Sequence, residues 1–187
     1  MDVLDLYDRS TAWVASKFPT AMDHLDARTP CEEWTVRDLM NHLIQGQQLF
    51  AGAADGKPAA PSPGRPPELL GDDPAGQYEE GRRTTLAAFR RPDVAEKAGP
   101  ALGIAFADQL IHGWDLARAS GQDDTMPEDL AAAAFGMLDG RMPDDQRGQF
   151  FKPALRTSDD AGPQERLLAY AGRSTVATGQ HDAHVAC

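Results

Sequence analysis

The side chains of His42, Asp108 and His112 are of types that bind divalent metals, and all three lie in segments that we predict to be helices. Asp108 and His112 are at positions i and i+4, so in a helix both project from the same face, one turn apart. His42 lies beside the apolar face of an earlier helix, and antiparallel packing of the two helices would bring it to the same ion. Two imidazoles and one carboxylate leave a coordination position open, which is typical of a catalytic zinc site rather than a structural one.

The same spacing has a simpler explanation. An aspartate and a histidine one helical turn apart can satisfy each other by hydrogen bonding and bind nothing else. A single histidine at the margin of an apolar face, such as His42, is more often a core residue than a ligand. A buried, ionised Asp108 nevertheless needs a partner, which is either a metal or an imidazole. The sequence pattern leaves both interpretations open.

Four further residues near these positions are candidates for catalytic or binding roles. Asp115, one turn beyond the second histidine, is a candidate catalytic group, as an orienter of that histidine or a proton acceptor, and a capping or surface acid is the alternative. Arg37 and Arg118 are candidates for binding an anionic substrate or cofactor. Cys31 raises the question of a nucleophile, but the glutamates that follow it oppose a lowered thiol pKa, so we expect a buried loop cysteine.

Composition and motifs exclude several classes of function. The chain has 187 residues, with 29 acidic and 18 basic side chains and a formal net charge of -11, so its surface repels phosphate backbones and anionic membranes. It has no glycine-rich phosphate loop, no Gly-x-Ser-x-Gly elbow and no Cys-x-x-Cys pair. No run approaches the roughly 18 apolar residues of a membrane span, and the acidic start is unlike a signal peptide. We expect a cytoplasmic protein that binds neither nucleic acid nor membranes.

The apolar residues recur at helical spacing along most of the chain, and sustained two-residue alternation is missing. The predicted helices cover residues 2–17, 36–53, 75–91, 101–120, 127–139 and 163–171. Thr35 and Asp38 form a capping pair before the second helix, and Gly121 suits the end of the fourth. The segment 54–74 is rich in proline and glycine, which predicts a long loop and a candidate lid.

This pattern predicts an all-α fold. Four long helices and a long crossover loop favour a four-helix bundle, in which metal and cofactor sites are built from side chains that face the interior. The shorter helices after residue 121 predict a small extra C-terminal helical region. We expect one domain over residues 1–172 and a disordered tail over 173–187.

Two stretches of the sequence carry a specific signal: residues 29–43 read TPCEEWTVRDLMNHL and residues 108–119 read DQLIHGWDLARA. They resemble the actinobacterial branch of the DinB-like superfamily, which includes the N-terminal domain of mycothiol-dependent maleylpyruvate isomerase. The resemblance implies a bundle that holds a divalent metal, commonly zinc, on His42, Asp108 and His112. The isomerase has glutamate where this chain has Asp108, and residues 122–187 are too short to supply its second domain.

The resemblance implies a divalent-metal-dependent enzyme of low-molecular-weight thiol chemistry, either a mycothiol S-transferase or a thiol-assisted isomerase. Its cofactors would be zinc, or nickel as the alternative, and mycothiol as the thiol co-substrate, with a small molecule as substrate. Helix surfaces of such bundles often pair, so a homodimer is compatible with this interpretation. Two alternatives are a metal- or ligand-binding bundle without catalysis and a metal-free biosynthetic isomerase or cyclase on the same fold.

Overall fold

The computed structural model describes an all-α protein. It covers residues 2–31, 34–57, 64–140 and 152–175, with only the backbone of residues 95–99. Over these ranges the α-helices are α1 (Val3–Ala15), α2 (Phe18–Ala21), α3 (Val36–Ala53), α4 (Pro74–Phe89), α5 (Pro92–Ala119), α6 (Glu128–Leu138) and α7 (Pro163–Tyr170). A 3-10 turn, Met22–His24, follows α2. The described residues form no β-strand, so the predicted fold class is confirmed.

Side-chain caps explain where the long helices begin. Thr35 and Asp38 form the predicted capping box at the start of α3, each side chain hydrogen-bonded to the other residue's backbone N–H. Asp73 accepts a hydrogen bond from the backbone N–H of Gly76, and Pro74 occupies the first position of α4. Gly121, with φ of +67°, follows the end of α5 as predicted. These local signals fix the registers of α3 and α5, the helices that carry the candidate ligands.

The start of α5 differs from the prediction. The sequence places it at Ala101, after Pro100, but the helix begins at Pro92 and runs through Pro100. Pro92 is at the start, where its missing N–H costs no helical hydrogen bond, whereas Pro100 removes one. Val94 and Leu102 are both buried in the core, and their packing stabilises the helix on either side of Pro100. The prediction was therefore wrong because tertiary packing outweighs the local cost of one proline.

Four helices form the bundle. Helix α1 packs on α4 and α5, and α3 packs on the same two helices, whereas α6 and α7 pack on each other and α6 also lies against α5. Two apolar clusters fill the interior: one includes Leu6, Phe50 and Phe106, and the other includes Val14 and Leu39. This arrangement confirms the bundle with a short C-terminal helical addition and is compatible with a DinB-like fold. Among the described helices, none is long and apolar enough to cross a membrane.

The loop before α4 is held against α3. The Asn41 side chain accepts hydrogen bonds from the backbone N–H groups of Leu69 (2.6 Å) and Leu70 (3.0 Å) and donates one to Glu68 (3.2 Å). Residues 58–63 of the predicted loop lie outside the described residues. Because Asn41 directly precedes His42, this part of the loop is fastened beside the first candidate ligand.

The described part of the predicted tail packs against the helices. Of the predicted tail, residues 173–175 are described and 176–187 lie outside the described residues. Arg173, the first residue of that tail, is 9% exposed. Gly172 (φ of +75°) ends α7 with a Schellman turn, in which Gly172 N–H bonds to Ala169 and Arg173 N–H bonds to Leu168. The turn directs Arg173 into the bundle.

Candidate metal centre

The side chains of His42, Asp108 and His112, hereafter the trio, converge as predicted from the sequence. One potential ligand atom from each lies within 4.8 Å of the other two. The Asp108 Oδ1 atom is 3.4 Å from His42 Nε2 and 3.7 Å from His112 Nε2, and the two imidazole rings have centroids 4.6 Å apart. The antiparallel pairing of α3 and α5 thus brings all three side chains to one point.

The spacing within the trio fits metal ligands better than hydrogen bonds. Nitrogen and oxygen ligands about 2.0–2.2 Å from a tetrahedral zinc ion lie about 3.3–3.5 Å from each other. A hydrogen bond between the same atoms would be about 2.9 Å long. The observed 3.4 Å and 3.7 Å are close to the first value and long for the second. Two imidazoles and a carboxylate are also a donor set that zinc accepts, so the residues present fit the metal.

Asp115 contacts Nδ1 of His112, the ring nitrogen that points away from the trio. His112 Nδ1 lies 3.1 Å from Asp115 Oδ2, and the Asp115 side chain is fully buried. A carboxylate only accepts hydrogen bonds, so Nδ1 carries the proton and the lone pair of Nε2 faces the trio. Burial lowers the pKa of His112 below its ordinary value, which keeps the imidazole neutral at pH 7. The predicted orienting contact of Asp115 is therefore present in the geometry.

Arg173 and Cys31 complete the surroundings of Asp115. Arg173 donates from Nη2 to Asp115 Oδ2 (2.8 Å) and from Nε to Oδ1 (3.3 Å), and the Cys31 thiol lies 3.3 Å from Oδ2. Burial alone would raise the pKa of Asp115, but the Arg173 charge and the hydrogen bonds from His112 and Arg173 hold it well below its usual range. We call Cys31, His112, Asp115 and Arg173 the Asp115 cluster.

A second, uncharged set of contacts lies behind Asp108. Gln109 Nε2 is 3.4 Å from Asp108 Oδ2, and its carbonyl Oε1 accepts hydrogen bonds from Tyr78 OH (2.7 Å) and Gln47 Nε2 (3.1 Å). Tyr7 OH in turn donates to Gln47. We call Tyr7, Gln47, Tyr78 and Gln109 the glutamine network; all four are buried.

The charge state of Asp108 follows from these neighbours. Burial raises the pKa of Asp108, but His42 and His112 outweigh that effect and lower it to about 2. Asp108 is therefore ionised at neutral pH and available as an anionic ligand.

Trp34 covers the imidazoles. Its ring centroid is 4.9 Å from that of His42 and 5.9 Å from that of His112. Trp114, which also borders the site in sequence, is instead a core residue, 1% exposed. Of the two tryptophans, Trp34 is the one that contacts both candidate histidine ligands and shields them from solvent.

The comparisons with known proteins identify the family of the chain. The profile of the mycothiol maleylpyruvate isomerase N-terminal domain matches residues 7–117, more than half of the 187 residues. The chain belongs to this family. Two proteins from strains of Mycobacterium tuberculosis, both described as uncharacterized, are each 28% identical to it over 183 residues, which cover 93% of this chain and 99% of the relative. No solved structure gives a significant match.

Membership in the mycothiol maleylpyruvate isomerase N-terminal domain family links the chain to a mycothiol-related, metal-binding function. The matched range, 7–117, contains the whole trio and Asp115 but ends before Arg173. All three candidate ligands therefore lie within the matched domain, whereas one member of the Asp115 cluster comes from the segment beyond it.

The remaining predicted site residues have other partners. The Arg37 guanidinium lies 3.9 Å from the Glu68 carboxylate at the surface. Arg118 donates to Asp124 Oδ2 (2.9 Å) and to the carbonyl of Thr175 (3.0 Å). Binding of an anionic substrate or cofactor by these arginines stays a prediction.

The Cys31 thiol fits the non-nucleophilic interpretation. Burial raises its pKa well above the usual range, and the Asp115 charge adds to the effect. The thiol is therefore protonated at neutral pH, and a protonated thiol is a poor nucleophile.

Sequence reasoning missed Arg173 and the two glutamines. Arg173 lies in a polar stretch after the last predicted helix, and no periodic signal connects it with Asp115. Gln47 and Gln109 did carry a signal, because each falls among apolar residues on a helix that the pattern predicts to be buried. A polar residue at such a position needs a hydrogen-bond partner, and the two glutamines partner each other.

Proposed function

We propose that the protein is a divalent-metal-dependent enzyme of low-molecular-weight thiol chemistry, with mycothiol as the thiol. The observation that carries the proposal is the convergence of the trio at ligand spacing, in a chain that belongs to the mycothiol maleylpyruvate isomerase N-terminal domain family. Transfer of the thiol to a small electrophile and thiol-assisted isomerisation are the two reaction types that this chemistry supports. A cytoplasmic location, where small thiols are kept reduced, is part of the proposal.

The trio would hold the metal through His42 Nε2, His112 Nε2 and Asp108 Oδ1. A divalent cation at this position supplies a Lewis acid for a carbonyl substrate and lowers the pKa of a thiol that reaches it. Three protein ligands would leave a coordination position open for the substrate or the thiol. The 3.4 Å and 3.7 Å separations of the ligand atoms would suit zinc better than nickel.

The surrounding residues orient the ligands and exclude water. Asp115 fixes the tautomer of His112, and because Asp115 is fully buried it acts as a positioning residue that does not touch substrate. Trp34 shields the two imidazoles on one side. Asp108 keeps its negative charge at neutral pH, which offsets one charge of the cation.

Metal content is the first test. Untagged protein, purified without chelator and supplied with zinc, is expected to hold one equivalent by inductively coupled plasma mass spectrometry, and the His112→Ala variant is expected to lose it. His24→Ala is the matched control, because His24 is an exposed histidine at the end of a 3-10 turn. Wild-type protein that takes up no zinc or nickel would contradict the proposal.

Thiol dependence is the second test. The zinc-loaded protein is mixed with small electrophiles or cis-configured unsaturated acids, with and without mycothiol, and product is followed by mass spectrometry. We expect turnover only when the metal and the thiol are both present. Stoichiometric zinc without thiol-dependent turnover would favour a metal- or ligand-binding bundle instead.

A further inference from the structure

His112 belongs to two groups of potential metal ligands. One is the trio, which uses His112 Nε2. The other is Cys31, His112 and Asp115, whose ligand atoms also lie within 4.8 Å of one another. A cation in the second group would use His112 Nδ1, the nitrogen that faces Asp115. The two groups therefore require opposite orientations of the His112 lone pair, and something in the protein must select between them.

The Arg173 guanidinium already occupies the cation position of the second group. Its Nη2 atom lies 2.8 Å from Asp115 Oδ2 and 3.2 Å from Cys31 Sγ. Both the guanidinium and the Asp115 carboxylate are almost fully buried, so their attraction is little screened by solvent. A second cation at this point would meet the repulsion of a fixed positive charge.

The fold holds Arg173 in place from its own segment. The Schellman turn at Gly172 fixes the backbone, and Arg173 Nη1 donates to the carbonyl of Ala171 at 2.8 Å. Arg118 on α5 fastens the same segment by donating to the carbonyl of Thr175. The guanidinium is thus preorganised against α5, and its forked contact with Asp115 uses the planar geometry that lysine lacks.

We propose that Arg173 is a positioning residue that holds Asp115 against His112 Nδ1, so that His112 presents Nε2 to the trio and the Cys31 group takes no metal. This inference extends the proposed function, and its statement about metal affinity rests on that function. The part that concerns the His112 tautomer stands on the metal-free geometry. Arg173 acts through Asp115 and touches no substrate, so its effect must disappear when Asp115 is removed.

The tautomer of His112 is measured in metal-free protein by long-range ¹H–¹⁵N correlation of the histidine rings. We expect the Nδ1–H form in the wild type and a rise of the Nε2–H form in Arg173→Met. Arg166→Met is the matched control, since the Arg166 guanidinium donates to the carbonyl of Asp159 on the exposed surface. An unchanged tautomer in Arg173→Met would overturn the proposal.

Zinc affinity is measured by competition with a chromophoric chelator. Arg173→Met is expected to weaken binding about 10–100-fold, because Arg173 acts through Asp115 and loss of the outer partner of a metal-ligating histidine usually has an effect of this size. Arg173→Lys is expected to weaken it less. Asp115→Ala should weaken it to a similar extent, and adding Arg173→Met to Asp115→Ala should change it less than about twofold if the two residues act as one unit. A double variant whose loss of zinc affinity equals the product of the two single-variant losses would overturn the positioning role. Circular dichroism shows whether each variant is folded.

Cobalt substitution tests the selection between the two groups. A thiolate ligand to Co²⁺ produces strong near-ultraviolet charge-transfer absorption, which imidazole and carboxylate ligands do not. We expect the wild-type cobalt protein to lack this band, and its presence would overturn the inference that Arg173 excludes metal from Cys31.

The outcomes separate the inference from the proposed function. Wild-type protein that takes up no metal contradicts the proposed function, while a tautomer change in Arg173→Met still supports the positioning role. Stoichiometric zinc that binds equally well to wild type and Arg173→Met supports the metal site and overturns the positioning role.

Discussion

The two sides of the trio are built by different means. Behind Asp108 lies the glutamine network, which is uncharged and comes entirely from the bundle helices α1, α3, α4 and α5. Behind His112 lies the Asp115 cluster, in which a buried carboxylate meets a buried guanidinium from a segment 58 residues away in sequence. One side is part of the bundle core, and the other is completed only when the C-terminal segment packs.

This difference determines how each side responds to mutation. Removing a member of an uncharged network leaves a hydrogen-bonding group without a partner, which has a moderate cost. Removing one member of a buried ion pair leaves a charge without a partner, which costs more. The Asp115 cluster should therefore be the more sensitive side, although it lies at the edge of the matched domain.

The largest effect is expected for Asp115→Ala, which leaves the Arg173 guanidinium buried without its carboxylate. We expect the free energy of unfolding of metal-free protein to fall by about 3–5 kcal/mol, as measured by urea denaturation. The double variant Asp115→Ala with Arg173→Met removes both charges and should recover part of the loss. A single-variant loss below about 1 kcal/mol would mean that water reaches the guanidinium and that the two sides are alike.

A smaller effect is expected for Gln109→Leu on the other side. The side chain of Gln109 is fully buried, and its loss leaves the Tyr78 hydroxyl and the Gln47 amide without their acceptor. We expect a loss of about 2–3 kcal/mol in the free energy of unfolding. Gln48→Leu is the control, because Gln48 is exposed on α3 and its replacement should change stability by less than about 0.5 kcal/mol. A Gln109→Leu loss larger than that of Asp115→Ala would reverse the ranking of the two sides.

The trio could be predicted from the sequence because local helix geometry positions its side chains. The i, i+4 spacing of Asp108 and His112 and the capping box at Thr35 set the registers of α5 and α3, and the pairing of these helices then brings in His42. The start of α5 was not predictable in this way, because tertiary packing carries the helix through Pro100.

Arg173 could not be predicted for a different reason. Its place beside Asp115 depends on the chain returning to α5 after α6 and α7, which no short-range pattern records. The sequence therefore predicted the convergence of the candidate ligands and missed Arg173, which lies behind His112.

A still smaller loss of stability is expected at Gly113, which belongs neither to the glutamine network nor to the Asp115 cluster. Gly113 directly follows His112 but faces α1, where an added Cβ would clash with Val14 and lie 3.0 Å from the Trp13 ring. Overpacking there should cost about 1–2 kcal/mol after the gain in helix propensity, so Gly113→Ala is expected to lower the melting temperature and leave zinc affinity unchanged. Gly136→Ala on α6, where a Cβ meets nothing within 4 Å, should instead raise the melting temperature. Loss of zinc affinity in Gly113→Ala would show that the contact of α1 with α5 also positions His112.

The smallest effect is expected for Arg37→Gln, which breaks an ion pair unlike that of Arg173. The Arg37 and Glu68 side chains are 44% and 58% exposed and lie 3.9 Å apart, whereas Arg173 and Asp115 are 8% and 0% exposed and lie 2.8 Å apart. Solvent screens the first pair, so its loss should change the free energy of unfolding by less than about 0.5 kcal/mol and leave zinc affinity unchanged. A rise in KM for an anionic substrate at constant kcat would support the binding role predicted for Arg37 from sequence. A loss of several kcal/mol would instead mean that burial does not separate the two pairs, and the contrast between the two sides of the trio would then need another cause.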